Sequence, residues 1–328
     1  MQVPHEILYN RILDVTACFH IPIKLFAIYI VATKTPKDQR HDSHFILNIM
    51  AWNFALNATF ALIHLSPMFP ALCFRVEGPL SHFIDNEGFG HAMFAVSLFY
   101  MAGVTLSLLY QFPYRYIVFA HPKLAEKIEP KWLYMICGML PFLVSCPFIA
   151  PGINWLITYD EYPDKTILPD KQLLSCFYPN GIKKLLPFIM YFCFLAVCLT
   201  LFIVFVVLTY HNIQSHKAIV RESTVKMQRR VLLNLVILTG IIICFGGIPM
   251  LTVIFMGWRP DTSYASFITM VCVVVMANHG AVYAITLLTI ITSYRVAVKQ
   301  IFWRLVSRVP KTDSFLTRVN VVLPKTSI

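Results

Sequence analysis

Seven stretches of the sequence are apolar over the length that a helix needs to cross a bilayer. One of them, from Ala92 to Phe112, contains no Asp, Glu, Lys or Arg. A spanning helix requires roughly 20 mostly apolar residues because the hydrocarbon core is about 30 Å thick. The stretches cover residues 14–33, 44–65, 89–112, 132–150, 185–209, 231–256 and 265–292.

The composition and the pattern of these stretches together predict the fold class. Hydrophobic residues make up 58% of the chain and charged residues 13%, whereas soluble domains carry about 25% charged residues. In hydrocarbon only helices and closed barrels satisfy their backbone polar groups, and long runs without strict alternation exclude a barrel. The sequence therefore predicts an all-α membrane protein built as a seven-transmembrane-helix bundle.

The distribution of charge between these spans predicts how the bundle is oriented. Nineteen of the 27 Lys and Arg residues lie in the segments on the side that includes the C-terminal region 293–328. Ten of the 16 Asp and Glu residues lie on the opposite side. By the positive-inside rule we expect an extracellular N-terminus and a cytoplasmic C-terminus in the plasma membrane. The net charge of +11 then faces anionic membrane lipids and cytosolic partners, which argues against nucleic acid.

Two cysteines lie in the loops expected to face the oxidising side. Cys73 belongs to the loop 66–88 and Cys176 to the loop 151–184. A disulfide between them would tie both loops over the mouth of the bundle. Two free thiols, or a Cys73 that is buried at a helix end, are the alternatives.

The sequence contains none of the motifs that commonly carry catalysis. It lacks H-E-x-x-H, a glycine-rich phosphate loop and G-x-S-x-G, each of which serves a specific chemistry. His41 and His44 are three residues apart at a helix start and suit an interfacial pair better than a metal site. We therefore expect no enzymatic activity, no metal and no cofactor.

Polar residues inside the spans are the candidates for ligand binding, because burying them in hydrocarbon is costly. His91 lies at the outer end of the third span beside Phe94, and Asn278 and His279 lie in the seventh. An aromatic-lined cavity with a few polar groups is typical of a small-molecule site. Asn48 is instead expected to hydrogen-bond between helices.

The expected inner face carries basic and aromatic residues at three helix ends. They serve either as topology anchors or as a docking surface for a cytosolic partner. These candidates are Arg115, Tyr116, Arg229, Arg230, Tyr294 and Arg295.

Two further features concern the sixth span and the segment after the seventh. Pro249, preceded by Gly246 and Gly247, predicts a break in the sixth helix. After the last span, apolar residues share one face of a predicted amphipathic helix on the membrane surface. They are Val298, Ile301, Phe302, Leu305 and Val309.

Four segments resemble the nematode serpentine chemoreceptors of the Str superfamily, especially the Srh- and Sri-like classes. They are HFILNIMAWNFALNATFALIHLSPMFPALCF, PYRYIVFAHP, KMQRRVLLNLVILTGIIICFGGIP and NHGAVYAITLLTIITSYR. The resemblance implies a G-protein-coupled chemosensory receptor that signals from sensory cilia through a heterotrimeric G protein. It also implies that Arg115 takes the role of the arginine that contacts the G protein.

The predicted function is detection of an extracellular small molecule, and the alternative is a seven-helix transporter or a ligand-gated channel subunit. That alternative predicts inverted repeats or paired charges near the middle of the membrane. The sequence shows no internal repeat, and Lys24 is the sole Lys, Arg, Asp or Glu deep in a span. The receptor is therefore favoured.

Overall fold

The computed structural model describes residues 4–36, 40–83, 86–125, 127, 130–168, 174–215 and 222–308. Several basic residues used to orient the chain (Lys37, Lys217 and Arg221) lie outside the described residues. The same holds for the end of the predicted tail, residues 309–328.

Seven helical segments of the described chain are long and apolar enough to cross a membrane, which confirms the predicted fold class. Two of the spans, the third and the sixth, each contain two helices. The helices are α1 (Pro4–Lys34), α2 (Arg40–Ile63), α3 (Glu87–Leu109), α4 (Gln111–Ala120), α5 (Pro122–Ala125), α6 (Pro130–Trp155), α7 (Ile182–Ser215), α8 (Glu222–Ile242), α9 (Ile248–Trp258), α10 (Ala265–Ile290) and α11 (Thr292–Arg308).

A proline lies just after the interruption in each of the two broken spans. The third span breaks at Tyr110, between α3 and α4, because Pro113 has no N–H to donate to the carbonyl of Leu109. In the sixth span a π-helical turn covers Ile243–Gly247 and α9 follows with Pro249 near its start. The break predicted at Pro249 thus takes the form of a wide turn just before the proline, a geometry that recurs at functional sites.

The loops at one end of the bundle form a small antiparallel sheet that no sequence pattern predicts. Its four strands run in the order β1-β2-β4-β3, and they join the loop after α2 to the loop after α6. Cys73 lies opposite Cys176, and a disulfide connects the two residues. The strands are β1 (Leu65–Pro67), β2 (Cys73–Val76), β3 (Leu156–Ile157) and β4 (Leu174–Phe177). We call this end the sheet end, and the opposite end, where α4 and α11 lie, the tail end.

The first turns of α1 are fixed to the sheet by polar contacts. Arg75 contacts Glu77 and lies 2.7 Å from the carboxylate of Glu6. Asn10 donates a hydrogen bond of 2.6 Å to Glu77, and the hydroxyl of Tyr9 donates one of 2.9 Å to the carbonyl of Leu65. These contacts explain why α1 begins well before residue 14, where the apolar pattern starts.

The centre of the bundle is α10, which is more buried than the other six spans. Its small residues Ala277, Gly280 and Ala284 are buried, and they allow α1 and α2 to approach closely. Across the bundle, Asn48 on α2 donates to the hydroxyls of Ser107, at 2.8 Å, and Tyr110. Asn48 thus has the packing role predicted for it.

Helix α11 follows α10 directly and packs on the bundle by only one side. Ala297 is buried, and Val298 and Ile301 pack against the main core. Phe302 and Trp303 are more than half exposed. The side chains of Leu305 and Val309, which belong to the predicted apolar face, lie outside the described residues.

Candidate functional site

A cavity of about 140 Å³ lies directly beneath the sheet, between α3, α6, α7 and α9. We call it the sheet-end cavity. It is lined by Leu72, Phe74, Phe94, Leu98, Met101, Ala102, Thr105, Ser145, Gly152, Trp155, Phe177, Pro187, Phe188, Met190, Tyr191, Phe194, Met250, Val253, Ile254 and Gly257.

Phe177 on β4 forms the roof of this cavity. It is completely buried, and its ring centroid lies 4.7 Å from that of Phe94 and 4.5 Å from that of Trp155. The indole N–H of Trp155 donates a 3.0 Å hydrogen bond to the carbonyl of Tyr178. Because Phe177 follows Cys176 in the chain, the disulfide and the sheet fix the position of the roof.

The polar groups of the sheet-end cavity are few and uncharged. The hydroxyl of Thr105 donates to the carbonyl of Met101 in its own helix at 3.0 Å. Ser145 on α6 is completely buried, and its Oγ has no hydrogen-bond partner among the described residues. A buried hydroxyl without a hydrogen-bond partner is unfavourable, so a ligand that supplied such a partner would gain affinity.

A second cavity of about 140 Å³, the deep cavity, adjoins the first and extends toward α10. The two share the lining residues Met101, Thr105, Tyr191 and Met250. The deep cavity is also lined by Leu56, Phe60, Val104, Leu108, Leu195, Ile242, Ile243, Gly246, Gly247, Met276 and His279.

The π-helical turn and His279 meet at the wall of the deep cavity. A Cβ atom placed on Gly246 would lie 3.6 Å from the Cδ2 atom of His279. The turn therefore lies beside the imidazole, and a molecule in the deep cavity would contact both. This is where a ligand can influence the broken sixth span.

Beyond His279, side chains from α1, α2 and α10 form a buried polar cluster. The Nζ atom of Lys24 donates a hydrogen bond to Oδ1 of Asn57, and Nδ2 of Asn57 donates to the carbonyls of Met276 and Ala277 at 3.0 and 2.8 Å. Nδ2 of Asn53 lies 2.6 Å from Nε2 of His279. Together with Gly280, we call Lys24, Asn53, Asn57 and His279 the polar cluster.

Lys24 is 2% exposed, and no carboxylate of the described chain pairs with it. Its amine is instead satisfied by the amide oxygen of Asn57, while Gly280 provides the space that both Lys24 and Asn53 occupy. The polar cluster therefore links three helices at the bottom of the deep cavity.

The four residues predicted to bind ligand occupy different places. Phe94 lines the sheet-end cavity and His279 lines the deep cavity. His91 lines neither cavity and is partly buried near Glu87. Asn278 also lines neither, and it donates a 2.9 Å hydrogen bond to the carbonyl of Val274 in its own helix.

The predicted partner-contact residues lie at the tail end, but not all of them reach the surface. Arg229, Arg230 and Arg295 are exposed, whereas Arg115 and Tyr116 are partly buried. Tyr294 is only 2% exposed, and its hydroxyl lies 3.0 Å from the hydroxyl of Thr35. Tyr294 thus ties α11 to the end of α1. The exposed part of this set consists of Arg229, Arg230 and Arg295.

The predicted site residues do not include four that line the sheet-end cavity, namely Ser145, Trp155, Phe177 and Tyr191. No local pattern marks them, because they come from separate elements that only the fold brings together. Lys24 and its partner Asn57 are both polar residues inside predicted spans, but no signal in the sequence predicts that they pair. Within the described residues, no group of three or more His, Cys, Asp or Glu side chains is arranged to hold a metal.

Comparison with protein families relates this architecture to known proteins. The family model described as serpentine type 7TM GPCR chemoreceptor Srh matches residues 5–304. The chain belongs to the Srh family of serpentine chemoreceptors. No curated protein matches it. The family match covers all seven spans of this Srh-family protein and confirms the predicted Srh-like resemblance. It places the protein among seven-helix chemoreceptors of the G-protein-coupled class and does not favour a transporter or channel.

Proposed function

We propose that this chain is a chemosensory receptor that binds an extracellular small molecule in the two adjoining cavities and activates a heterotrimeric G protein through its tail end. The observation that carries the proposal is the aromatic-lined sheet-end cavity, which adjoins a second cavity at the π-helical turn. Ligand sites are commonly apolar concave pockets with a few polar groups.

The proposed orientation has the sheet end outside the cell and the tail end in the cytoplasm. It is supported by the excess of Lys and Arg on the tail-end side and by the position of the disulfide, because disulfides persist in oxidising compartments. The exposed Phe302 and Trp303 of α11 would then contact lipids of the inner leaflet. The family resemblance supports a location in the plasma membrane of sensory cilia.

The proposed mechanism uses the broken sixth span as the moving part. A ligand in these cavities would contact Met250, which lines both of them and follows Pro249 in α9. It would favour one arrangement of the π-helical turn, provided it binds that arrangement more tightly. Helix α8 runs from this turn to Arg229 and Arg230, so a change at the turn alters their position at the tail end. A G protein that docks on these basic residues and on Arg115 would sense that change.

A first experiment tests the signalling half of the proposal. Chemicals are screened against the receptor in a heterologous cell with a G-protein readout, and an active compound is then applied to Arg115→Ala. We expect this variant to lose ligand-dependent activation while its surface expression stays normal, because the tail-end cation is removed far from the ligand. Antibody access to an N-terminal epitope on intact cells tests the orientation.

The matched control is Arg259→Ala, which removes an exposed arginine from the sheet end, after α9. It should leave activation unchanged. Normal activation of Arg115→Ala would contradict the assigned G-protein contact. A ligand-evoked current in cells that lack G proteins would favour the channel alternative.

A further inference from the structure

We infer that the sheet-end cavity takes a neutral, singly substituted aromatic molecule with one hydrogen-bonding group, and that Ser145 recognises that group. The inference rests on the proposed function only in treating the occupant as the signalling ligand. The chemical class itself follows from the lining of the cavity.

Charge is the first restriction on the ligand. No Lys, Arg, Asp, Glu or His side chain is found among the described residues that line the sheet-end cavity. An ion that entered it would lose its hydration without gaining a counter-ion, which is strongly unfavourable. The polar cluster around Lys24 does not change this, because Lys24 lines neither cavity. The lining therefore selects neutral molecules.

Size and shape provide the second restriction. An empty apolar cavity of about 150 Å³ is known to accommodate benzene, and the sheet-end cavity measures about 140 Å³. One ring with a short substituent therefore fits without rearrangement. Trp155 and Phe188 are 5.1 Å apart and Phe94 and Phe177 4.7 Å apart, both pairs edge to face. Another aromatic ring extends this packing favourably.

Hydrogen bonding provides the third restriction. Ser145 lines the cavity, and its Oγ is completely buried and has no partner within the described chain. Of the other side-chain donors, the Thr105 hydroxyl and the Trp155 indole N–H already donate to carbonyls. Tyr191 also lines the cavity, but among the described lining residues it is the Ser145 hydroxyl that is buried without a partner. A ligand carbonyl, ether or hydroxyl placed beside Ser145 would satisfy this hydroxyl, so one such group is favoured.

The experiment measures binding directly and does not depend on G-protein activation. The full-length receptor in lipid nanodiscs is equilibrated by dialysis with ethylbenzene, acetophenone, benzoate or benzylammonium, and empty nanodiscs correct for partition into lipid. The four compounds are similar in size and differ in charge and hydrogen bonding. We expect acetophenone to bind about 2- to 10-fold more tightly than ethylbenzene, the range of one neutral hydrogen bond. The two ions should not bind measurably.

Three variants test whether Ser145 in the sheet-end cavity causes the preference for acetophenone over ethylbenzene. Ser145→Ala should reduce the acetophenone affinity to that of ethylbenzene and leave ethylbenzene unchanged. The control Ser97→Ala removes a buried hydroxyl that already donates to Met93 in its own helix and should change neither affinity. Ala102→Leu places extra side-chain volume in the sheet-end cavity and should weaken both compounds.

The outcomes separate this inference from the proposed function. Tighter binding of either ion, an acetophenone preference that survives Ser145→Ala, or no binding of either neutral compound would overturn the inference. If instead a charged compound activated a G protein through the receptor, the proposed function would stand and the ligand class would be wrong. Selective binding of acetophenone by a receptor that activates no G protein would refute the proposed function alone.

Discussion

Substitution of Gly280 by alanine tests whether the polar cluster holds α1, α2 and α10 together. A Cβ atom at this position would overlap Oδ1 of Asn53 and would lie 2.6 Å from Cε and 2.7 Å from Nζ of Lys24. Both side chains are buried, so neither can move away without breaking the hydrogen bonds it makes.

The expected decrease in the free energy of unfolding follows from the two hydrogen bonds that the new methyl group would break. The bond from Lys24 to Asn57 involves a group that can carry charge, and such bonds contribute about 1.5–3 kcal/mol. The neutral contact between Asn53 and His279 contributes about 0.5–1.5 kcal/mol. Gly280→Ala should therefore lower the free energy of unfolding by about 2–4 kcal/mol. With roughly 2–4 °C per kcal/mol for large domains, the thermal midpoint should fall by roughly 5–15 °C.

The assay is thermal unfolding of the purified receptor in detergent, with Gly138→Ala as the matched control. A Cβ atom at Gly138 in α6 meets nothing within 4 Å, and alanine is the better helix former, so this variant should be at least as stable as the wild type. The double variant Asn53→Ala/Gly280→Ala should cost less than the sum of the two single changes, because removing Asn53 makes room for the new methyl group. A thermal midpoint for Gly280→Ala equal to that of Gly138→Ala would refute the reasoning.

Two other predictions concern the sheet end. Burial lowers the pKa of His64, and Asp14 opposes this shift. The folded protein therefore keeps His64 neutral. The stability that the neutral form provides is present above the ordinary histidine pKa of about 6.5 and is lost as the pH falls below that value. Between pH 7.5 and 5.5 the wild type should therefore lose more thermal stability than His64→Asn. Asparagine is chosen because it tolerates the positive φ of 37° at this position. Equal losses would count against His64 as the source of the pH dependence. Removing the disulfide with the double variant Cys73→Ser/Cys176→Ser should lower the free energy of unfolding by about 2–5 kcal/mol. It should also weaken acetophenone binding, because Phe177 loses its fixed position. Cys193→Ser, which changes an exposed free cysteine, serves as the control, and unaltered binding by the double variant would show that the sheet alone positions the roof.

Local sequence patterns were sufficient to predict the seven spans of this protein. A helix in hydrocarbon needs about 20 apolar residues wherever it occurs in the chain, so the seven spans follow from composition along the sequence. The break before Pro249 follows equally from a missing N–H. The start of α1 was harder to predict, because Glu6 and Asn10 give no apolar signal. In the folded protein Glu6 pairs with Arg75, and Asn10 donates a hydrogen bond to Glu77.

The sheet was not predictable for a related reason. Its strands have two to four residues, too few to show an alternating pattern, and its central pair, β2 and β4, comes from two different loops. The Cys73–Cys176 pairing was one of three alternatives at the sequence level, because sequence gives the side of the membrane and not the distance between two thiols.

The sequence by itself therefore determined the class of fold, the family, and the concentration of basic residues at one end of the bundle. These properties depend on which residues follow one another in the chain. Only the tertiary structure decided that Phe94 and His279 line cavities while His91 and Asn278 do not, and that Ser145, Trp155 and Phe177 belong to one site. A cavity is bounded by side chains from several helices, and their relative rotation depends on packing contacts such as the approach of Lys24 to Gly280.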